Sequence, residues 1–463
     1  MFADPLALRL YARDASMVEG EAGLVALPSD AGQVVACMKL AAEHGLDVVP
    51  RGSGTGLAGA ATPVGRPLVV VTAKMTKLLE VRPEDRLAWV EPGMFNLDLS
   101  TQLRPTGFAF APDPSSQQVS SIGGNVATNA GGPHCLASGV TSAHVLALDL
   151  VLADGSVARV GSEGPAAPGY DLRGFVVGSE GTLGVVTAVC VRLSPIPPAV
   201  RTLLLDFDSA EACAQTVSAI IARGVVPAAL EMMDQGIVRA VEAFVHAGYP
   251  TEAAAVLLVE VDGMEAGVQT QAREVEEAGR AHGAGIRVAA DETERQLLWK
   301  GRKNAFGAIA RIAPHYHLHD CVVPRTKLAE TLTGIYAIAK QHELIVTNVF
   351  HAGDGNLHPL FSFDMSVPGT LERVLAAADD VVRLCVDAGG ALSGEHGIGL
   401  EKRDFMPLVF SEEDLRAQAC LRAAFDPDGR MNPRKVLPDG ARCGDFAAAA
   451  LAREDALPEG TWI

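Results

Sequence analysis

The sequence is short of the features that mark nucleic-acid-binding, membrane-spanning or disulfide-built proteins. Positive charge is in deficit: 38 Lys and Arg stand against 56 Asp and Glu, a formal charge of −18. Phosphate backbones and anionic lipid are gripped by basic surfaces, so this balance argues against both as direct partners. No apolar run reaches the ~18 residues of a membrane helix. The N-terminus, MFADPLALRLYARDAS, lacks a basic region followed by an apolar one. No export signal is therefore expected, and the expected compartment is the cytoplasm. The cysteines are scattered (Cys37, Cys135, Cys190, Cys213, Cys321, Cys385, Cys420, Cys443) and none form a Cys-x-x-Cys pair. That spacing argues against an iron–sulfur cluster or a cysteine-based zinc site, and reduced, mostly buried thiols are expected. There is no internal repeat and no Gly-Lys-Ser/Thr of a nucleoside-triphosphate loop.

What is present is globular: 463 residues, 48% hydrophobic and 20% charged, enough for two or three domains. Pro195, Pro197 and Pro198 divide the chain, because such a run continues neither a helix nor a central strand. Before it the chain is glycine-rich with short β runs. After it, stretches 209–223, 264–283 and 369–388 have helical spacing. The expected limits are 1–195, 196–436 and a tail over 437–463. Asp30 to Gln33 reads as a capping box before a helix, and 46–49 as the strand that follows. Asp154-Gly155 reads as a two-residue hairpin turn. Strands are expected at 68–71, 184–193, 255–261 and 344–350. The fold class is α+β.

Three glycine loops carry the first chemical signal. Pro50-Arg51-Gly52-Ser53-Gly54-Thr55-Gly56 follows an expected strand and runs on to Gly59. By letter it contains the dinucleotide fingerprint, but Pro63, Gly65 and Pro67 forbid the helix that fingerprint requires. A phosphate can still be held by backbone N–H groups in a nest. A plain glycine-rich turn is the other reading of this loop alone. The second loop runs from Pro112-Asp-Pro-Ser115-Ser116 through Gly123-Gly124-Asn125 to Thr128-Asn129, and the third is Gly178-Ser-Glu180-Gly-Thr-Leu-Gly184. Three such loops point to a large ligand with a pyrophosphate.

The second signal is His351-Ala-Gly-Asp354-Gly355-Asn356-Leu-His358, between two β-type runs. With Asp354-Gly355 as a two-residue turn, His351 lies directly opposite His358, on one face of the hairpin. Glu395, in Ser393-Gly-Glu395-His396-Gly, can complete a two-histidine, one-carboxylate metal site with open positions, leaving His396 for proton transfer. Taken singly, each histidine is equally a core or surface residue.

These motifs resemble a known family. The glycine loops are similar to the FAD-binding domain of vanillyl-alcohol-oxidase-type flavoenzymes. The resemblance implies two α/β subdomains clasping FAD and a C-terminal α+β substrate domain with an antiparallel sheet. It places FAD on Arg51, Gly52, Ser53, Gly54, Thr55, Gly56, Pro112, Ser115, Ser116, Gly123, Gly124, Asn125, Thr128, Asn129, Glu180, Gly184, Val186 and Asn432. Some relatives attach FAD through a histidine in the first loop. None lies between Pro50 and Ala61, so non-covalent FAD is expected. His351-x-Gly-Asp-Gly-Asn-x-His358 and Gly394-Glu-His-Gly-Ile-Gly399 resemble the C-terminal domain of FAD-linked D-2-hydroxy-acid dehydrogenases. Trp299-Lys-Gly-Arg302-Lys-Asn, Glu231-Met-Met-Asp234 and Phe425-Asp-Pro-Asp-Gly429 resemble the flavin-bearing D subunits of bacterial glycolate oxidases.

That resemblance implies a divalent metal (Zn, or Mn/Fe) on His351, His358 and Glu395, with His396 as general base. Arg302 is expected to grip a substrate carboxylate bidentately, with Asn356 near flavin and substrate. The implied reaction oxidises a small 2-hydroxy acid, glycolate or D-lactate, with hydride passing to flavin N5. Electrons would leave through a second flavin-type subunit and an iron–sulfur subunit to a quinone pool, so the membrane is reached only through partners. The competing readings are a stand-alone D-lactate or D-2-hydroxyglutarate dehydrogenase, a zinc hydrolase on the same histidines, and a flavin-binding subunit without turnover.

Overall fold

The computed structural model describes residues 1–164 and 168–439. Its first layer is a parallel sheet of Leu24–Ala26, Leu68–Val71 and Val48–Arg51, in that order. Parallel strands need a crossover, and helix Ala31–Glu43 supplies one. Asp30 caps it, accepting from Gln33 N at 2.9 Å, while Gln33 reaches back to Ser29 N at 3.0 Å. Half of the expected capping box therefore forms, and its return bond is displaced by one residue. Val34, Met38 and Ala41 pack on Val48, Leu68 and Val70. The strand begins at Val48 rather than 46 because Leu46 is spent in ending the helix: Gly45 turns at φ +60° and Leu46 N bonds Ala41 O at 2.9 Å.

The second layer is an antiparallel sheet in the order Leu78–Arg82, Leu87–Val90, Val185–Arg192, Val145–Val151, Val157–Gly161. Helix Ile122–Thr128 lays Ile122 and Val126 on a core that includes Val145, Leu148 and Val189 of this sheet. The Asp154-Gly155 hairpin is present as a three-residue loop: Leu152 N bonds Ser156 O at 2.9 Å and Gly155 takes φ +82°.

Apart from a two-stranded ribbon of Phe108–Ala109 and Ser194–Pro195, the remaining strands build one large antiparallel sheet, whose centre runs Ala199–Phe207, Ala255–Gly263, Ala229–Asp234, Ile345–His351. Strand side chains alternate between faces, and both faces here are covered. Leu203, Leu205 and Leu257 pack under helices Ala210–Ala222, Glu265–Ala281, Leu328–Gln341 and Thr370–Asp387. Leu204, Val256 and Leu258 pack under helices Gln235–Val245 and Glu292–Lys303. Three of these helices answer the three stretches expected from periodicity. The chain then returns to the first layer: Val48 N bonds Arg430 O at 2.9 Å, Asn432 N bonds Val48 O at 2.7 Å, and Met431 enters that core. This return covers the open edge of strand Val48–Arg51.

Cys37, Cys190, Cys213, Cys321 and Cys385 are buried free thiols. Among the described residues no helix is long and apolar enough to cross a membrane. Cys443 and most of the expected tail lie outside the described residues.

Candidate active site

The parallel sheet ends in the first glycine loop, which continues without a helix, as its prolines require. Glycine is demanded at two of its positions. A Cβ on Gly52 would collide with Ser121 Oγ, the cap of helix Ile122–Thr128. Gly54 takes φ +74°, and a Cβ there would collide with the Arg51 guanidinium. The loops border one cavity of about 390 Å³. Arg51, Gly52, Ser53, Gly54, Thr55, Gly56, Ser115, Ser116, Gly123, Gly124, Asn125, Thr128, Glu180, Gly184 and Val186 all lie on its wall. Neutral donors and small residues on this wall fit an elongated ligand with a pyrophosphate.

Three expected FAD contacts stand behind the wall. Pro112 O accepts from Asn96 Nδ2 at 2.9 Å. Asn129 ends a helix at φ +52° and accepts from Ser142 N at 2.8 Å. Asn432 Nδ2 donates to Ala60 O at 2.9 Å and Glu180 O at 2.6 Å, tying two loops together. Glu180 is on the wall, but its carboxylate is engaged elsewhere, accepting from Ile398 N at 2.6 Å and Gly399 N at 2.8 Å. Burial raises its pKa to about 7, against the lowering effect of those two bonds.

The far end of the same cavity is formed by Glu395 and His396, with Lys303, Phe306, Tyr316 and Leu318 beside them. The hairpin that carries the other histidines is paired differently from the expectation. His351 faces Asn356, and Asn348 faces Pro359, so His351 and His358 are not directly opposed. The turn is Ala352–Gly355, closed by Gly355 N on Ala352 O at 3.3 Å, with Gly355 last at φ +76°. Asp354-Gly355 thus occupies the final two positions of a four-residue turn instead of its centre. The slip amounts to two residues, and side chains alternate with period two. Both histidines therefore stay on one face, as diagonal neighbours, with ring centroids 5.2 Å apart.

His351 Nε2 lies 3.1 Å, His358 Nε2 3.5 Å and His396 Nε2 3.9 Å from Glu395 Oε1. The ligand atoms of His351, His358 and Glu395 lie within 4.8 Å of one another. His358 is fully buried, and neither ring nitrogen has a hydrogen-bond partner among the described residues. A buried imidazole left so is costly, and a metal ion on this donor set would satisfy it. Asp320, His358 and His396 form an overlapping group of the same spread. Asp320, however, is already occupied. Its carboxylate accepts from Ser393 Oγ at 2.5 Å, Gly394 N at 3.0 Å, His396 N at 3.0 Å and Lys402 Nζ at 3.3 Å.

Two acids that motif reading did not select organise the cluster. Glu231 receives His351 Nδ1 at 2.8 Å, which turns Nε2 toward Glu395. Asp320 shapes the loop of Glu395 and His396. Both are far in sequence from what they hold. Glu231 lies inside one of the family-like motifs, and Asp320 follows His317-Leu-His319, but neither setting discloses the partner. Burial alone would lower His351, yet Glu231 and Glu395 outweigh it and hold its pKa well above the imidazole range. Burial acts against Glu395 as well, but His351 and its neighbours bring it down to about 2. Burial pushes His396 down to about 4, which Asp320 opposes and His358 reinforces. At neutral pH His396 is thus an uncharged imidazole, the form that accepts a proton.

Arg302 and Asn356 are buried behind the cavity wall. The Arg302 guanidinium pairs through Nη2 with Glu231, while Nε and Nη1 make no hydrogen bond among the described residues. Asn356 packs so closely against Gly394 that a Cβ there would collide with its amide. In the amide orientation that satisfies its neighbours it donates to Asp320 Oδ1 at 2.8 Å and Cys321 O at 3.2 Å.

Comparison with known proteins agrees with this architecture. Residues 22–161 match the model of an FAD binding domain, and 196–436 that of the C-terminal domain of FAD linked oxidases. The chain is 45% identical to glycolate oxidase subunit GlcD of Escherichia coli K12, covering 92% of this chain and 85% of that one. It is 32% identical to a D-lactate dehydrogenase of Anaerostipes hadrus, covering 87% of each. The solved structure of p-cresol methylhydroxylase with substrate bound superposes with a TM-score of 0.80 at 15% identity, over 96% of this chain and 94% of that one. A likeness of that depth concerns the fold, which is the vanillyl-alcohol-oxidase type. With its two matched domains and a cavity joining them, the chain belongs to the FAD-linked oxidases and is an FAD-dependent oxidoreductase.

Proposed function

We propose that this enzyme oxidises a small 2-hydroxy acid, glycolate or D-lactate, to the 2-oxo acid. One observation carries the reading: the cavity bordered by the glycine loops ends on Glu395 and His396. A cofactor seated in the loops and a substrate at the histidines would share that space. FAD, bound there without a covalent link, supplies the acceptor for the C2 hydride at N5. A divalent metal on His351, His358 and Glu395, Zn or Mn/Fe, supplies a Lewis acid for the substrate hydroxyl. His396 takes the hydroxyl proton, for which its neutral state suits it. Arg302 offers the guanidinium for the substrate carboxylate, supported by Nε and Nη1, which its Nη2 pair with Glu231 leaves without a hydrogen-bond partner among the described residues. Asn356 positions the loop of Glu395 and His396 through Gly394 and Asp320. Pro112, Asn129 and Asn432 serve the cofactor by fixing the loops that touch it.

The working division assigns 1–195 to FAD and 196–436 to substrate and metal, with 437–463 as a tail. The likeness to a glycolate oxidase subunit supports partners that drain the flavin. By this reading they are a second flavin-type subunit and an iron–sulfur subunit delivering to a quinone pool. The enzyme would then work in the cytoplasm, at the membrane only through those partners. The test is the visible spectrum of the purified chain before and after anaerobic addition of glycolate, D-lactate or D-2-hydroxyglutarate. Bleaching by glycolate or D-lactate is expected. Bleaching by D-2-hydroxyglutarate alone, or by none, overturns the substrate assignment. Retained full dye-linked activity of the chain without copurifying subunits would favour a stand-alone dehydrogenase, as the D-lactate relative allows.

A further inference from the structure

A second histidine cluster lies beside the first and takes no part in the reaction proposed above. Strand His315–Leu318 and the residue after it turn alternate side chains to opposite faces. Tyr316 and Leu318 line the cavity, so His317 and His319 project from the other face. Their rings meet edge to face, with centroids 4.8 Å apart. Glu401 closes the group: one ligand atom from each of His317, His319 and Glu401 lies within 4.8 Å of the others. His319 is 2% exposed, and neither of its ring nitrogens has a hydrogen-bond partner among the described residues. A buried imidazole is expected to satisfy at least one nitrogen, so this pair of orphans calls for a ligand. The nearby Lys402 ammonium would repel a cation, but it is bound to Asp320, at 2.7 Å from the backbone oxygen and 3.3 Å from the carboxylate.

We propose that His317, His319 and Glu401 form a second divalent-metal site, of the zinc class, distinct from the one on His351, His358 and Glu395. Two imidazoles and one carboxylate are a borderline-soft donor set that suits zinc, with ligand distances of about 2 Å. Two histidines spaced i, i+2 on one face of a strand form a preorganised pair, and Glu401 is half-buried, which leaves a path for the ion. The ion would pin strand His315–Leu318 to the loop that presents Glu395 and His396. Its role is therefore to fix that loop, and no reacting group need touch it.

Metal counting separates the two sites. The FAD-bound protein is stripped with a chelator and dialysed against zinc, and bound zinc is measured relative to flavin. Wild type should hold two equivalents. His319→Leu, which fills the buried space, and Glu401→Gln, on the half-buried side, should each lose one. His351→Ala should also lose one, and the His351→Ala, Glu401→Gln double variant should lose both. If His319→Leu fails to retain flavin, Glu401→Gln alone decides. Zinc content unchanged in Glu401→Gln overturns the second site, as does a wild type with one equivalent that His351→Ala abolishes. A wild type with one equivalent that Glu401→Gln abolishes and His351→Ala keeps would instead overturn the first site and leave the second standing.

Discussion

The two ends of the cavity are built on opposite plans. At the FAD end the wall is backbone and small polar side chains, shaped by glycines that give way to a ligand. At the other end it is ionisable side chains, buried and locked by further charges: Glu231 behind His351, Asp320 behind the His396 loop, Lys402 behind Asp320. The first design tolerates a large ligand by offering many weak contacts. The second fixes a few groups, as the proton and metal chemistry proposed for them would require. Damage to one end should therefore leave the other nearly intact.

The sharpest break in that symmetry is His396→Ala. It should slow anaerobic flavin reduction by roughly 10²–10⁴-fold, the worth of a general base, while FAD and metal contents hold. Metal content beside the bleaching rate checks this. Metal lost from His396→Ala but kept in Glu395→Ala would exchange the roles of the two neighbours. Next comes Arg302→Lys, which keeps the charge and loses the fork. A hydrogen bond to a charged group is worth about 1.5–3 kcal/mol, so kcat/KM should fall by roughly 10- to 150-fold. Unchanged kinetics would move the carboxylate site, and Lys303 on the cavity wall is then the cation to test. Glu231→Gln should weaken metal binding by about 10–100-fold, as loss of an acceptor behind a histidine ligand does. Competition with a chromophoric chelator reads it out. At the other end, Gly54→Ala forces a left-handed non-glycine residue, at about 1–2 kcal/mol. FAD affinity should drop roughly 5- to 30-fold with metal binding untouched. Equal losses of both would mean that the two ends are not independent.

This contrast also decides what could be read in the sequence. The glycine loops were legible because each is a continuous motif whose backbone does the work, and the prolines after Gly59 correctly excluded a following helix. The long helices were legible from spacing, since Ala210–Ala222, Glu265–Ala281 and Thr370–Asp387 each bury one stripe. The histidine motif showed which side chains cluster but misled on their pairing, because Asp-Gly fits both the centre and the end of a turn. What stayed hidden is tertiary. Glu231 meets His351 across 120 residues and Asp320 meets His396 across 76. The return of Asn432 to the first sheet arises from a segment that has no strand pattern of its own. No local period encodes such pairs.

The last test concerns stability rather than turnover, at the seam between the two ends. His134, from the loop region of the FAD part, stacks on Trp299 at 5.4 Å and bonds Asp113 at 2.8 Å and Glu260 at 3.3 Å. Glu260 also accepts from Arg295 Nε and Nη2, each at 2.9 Å, and from Trp299 Nε1 at 2.6 Å. Burial works against the His134 cation, but Asp113 and Glu260 overcome it and lift its pKa to about 10. A folded-state pKa raised above the unfolded value stabilises fully below about 6.5 and fades as pH climbs through 10. His134→Gln removes that contribution. The variant should therefore melt below wild type at pH 6, and the gap should narrow steadily toward pH 10, by at most about 1.4 kcal/mol per pH unit. Thermal midpoints of both proteins across that range measure it. A gap that stays constant from pH 6 to pH 10 would mean that His134 carries no charge at the seam, and its contribution there would then rest on neutral hydrogen bonds and on stacking against Trp299.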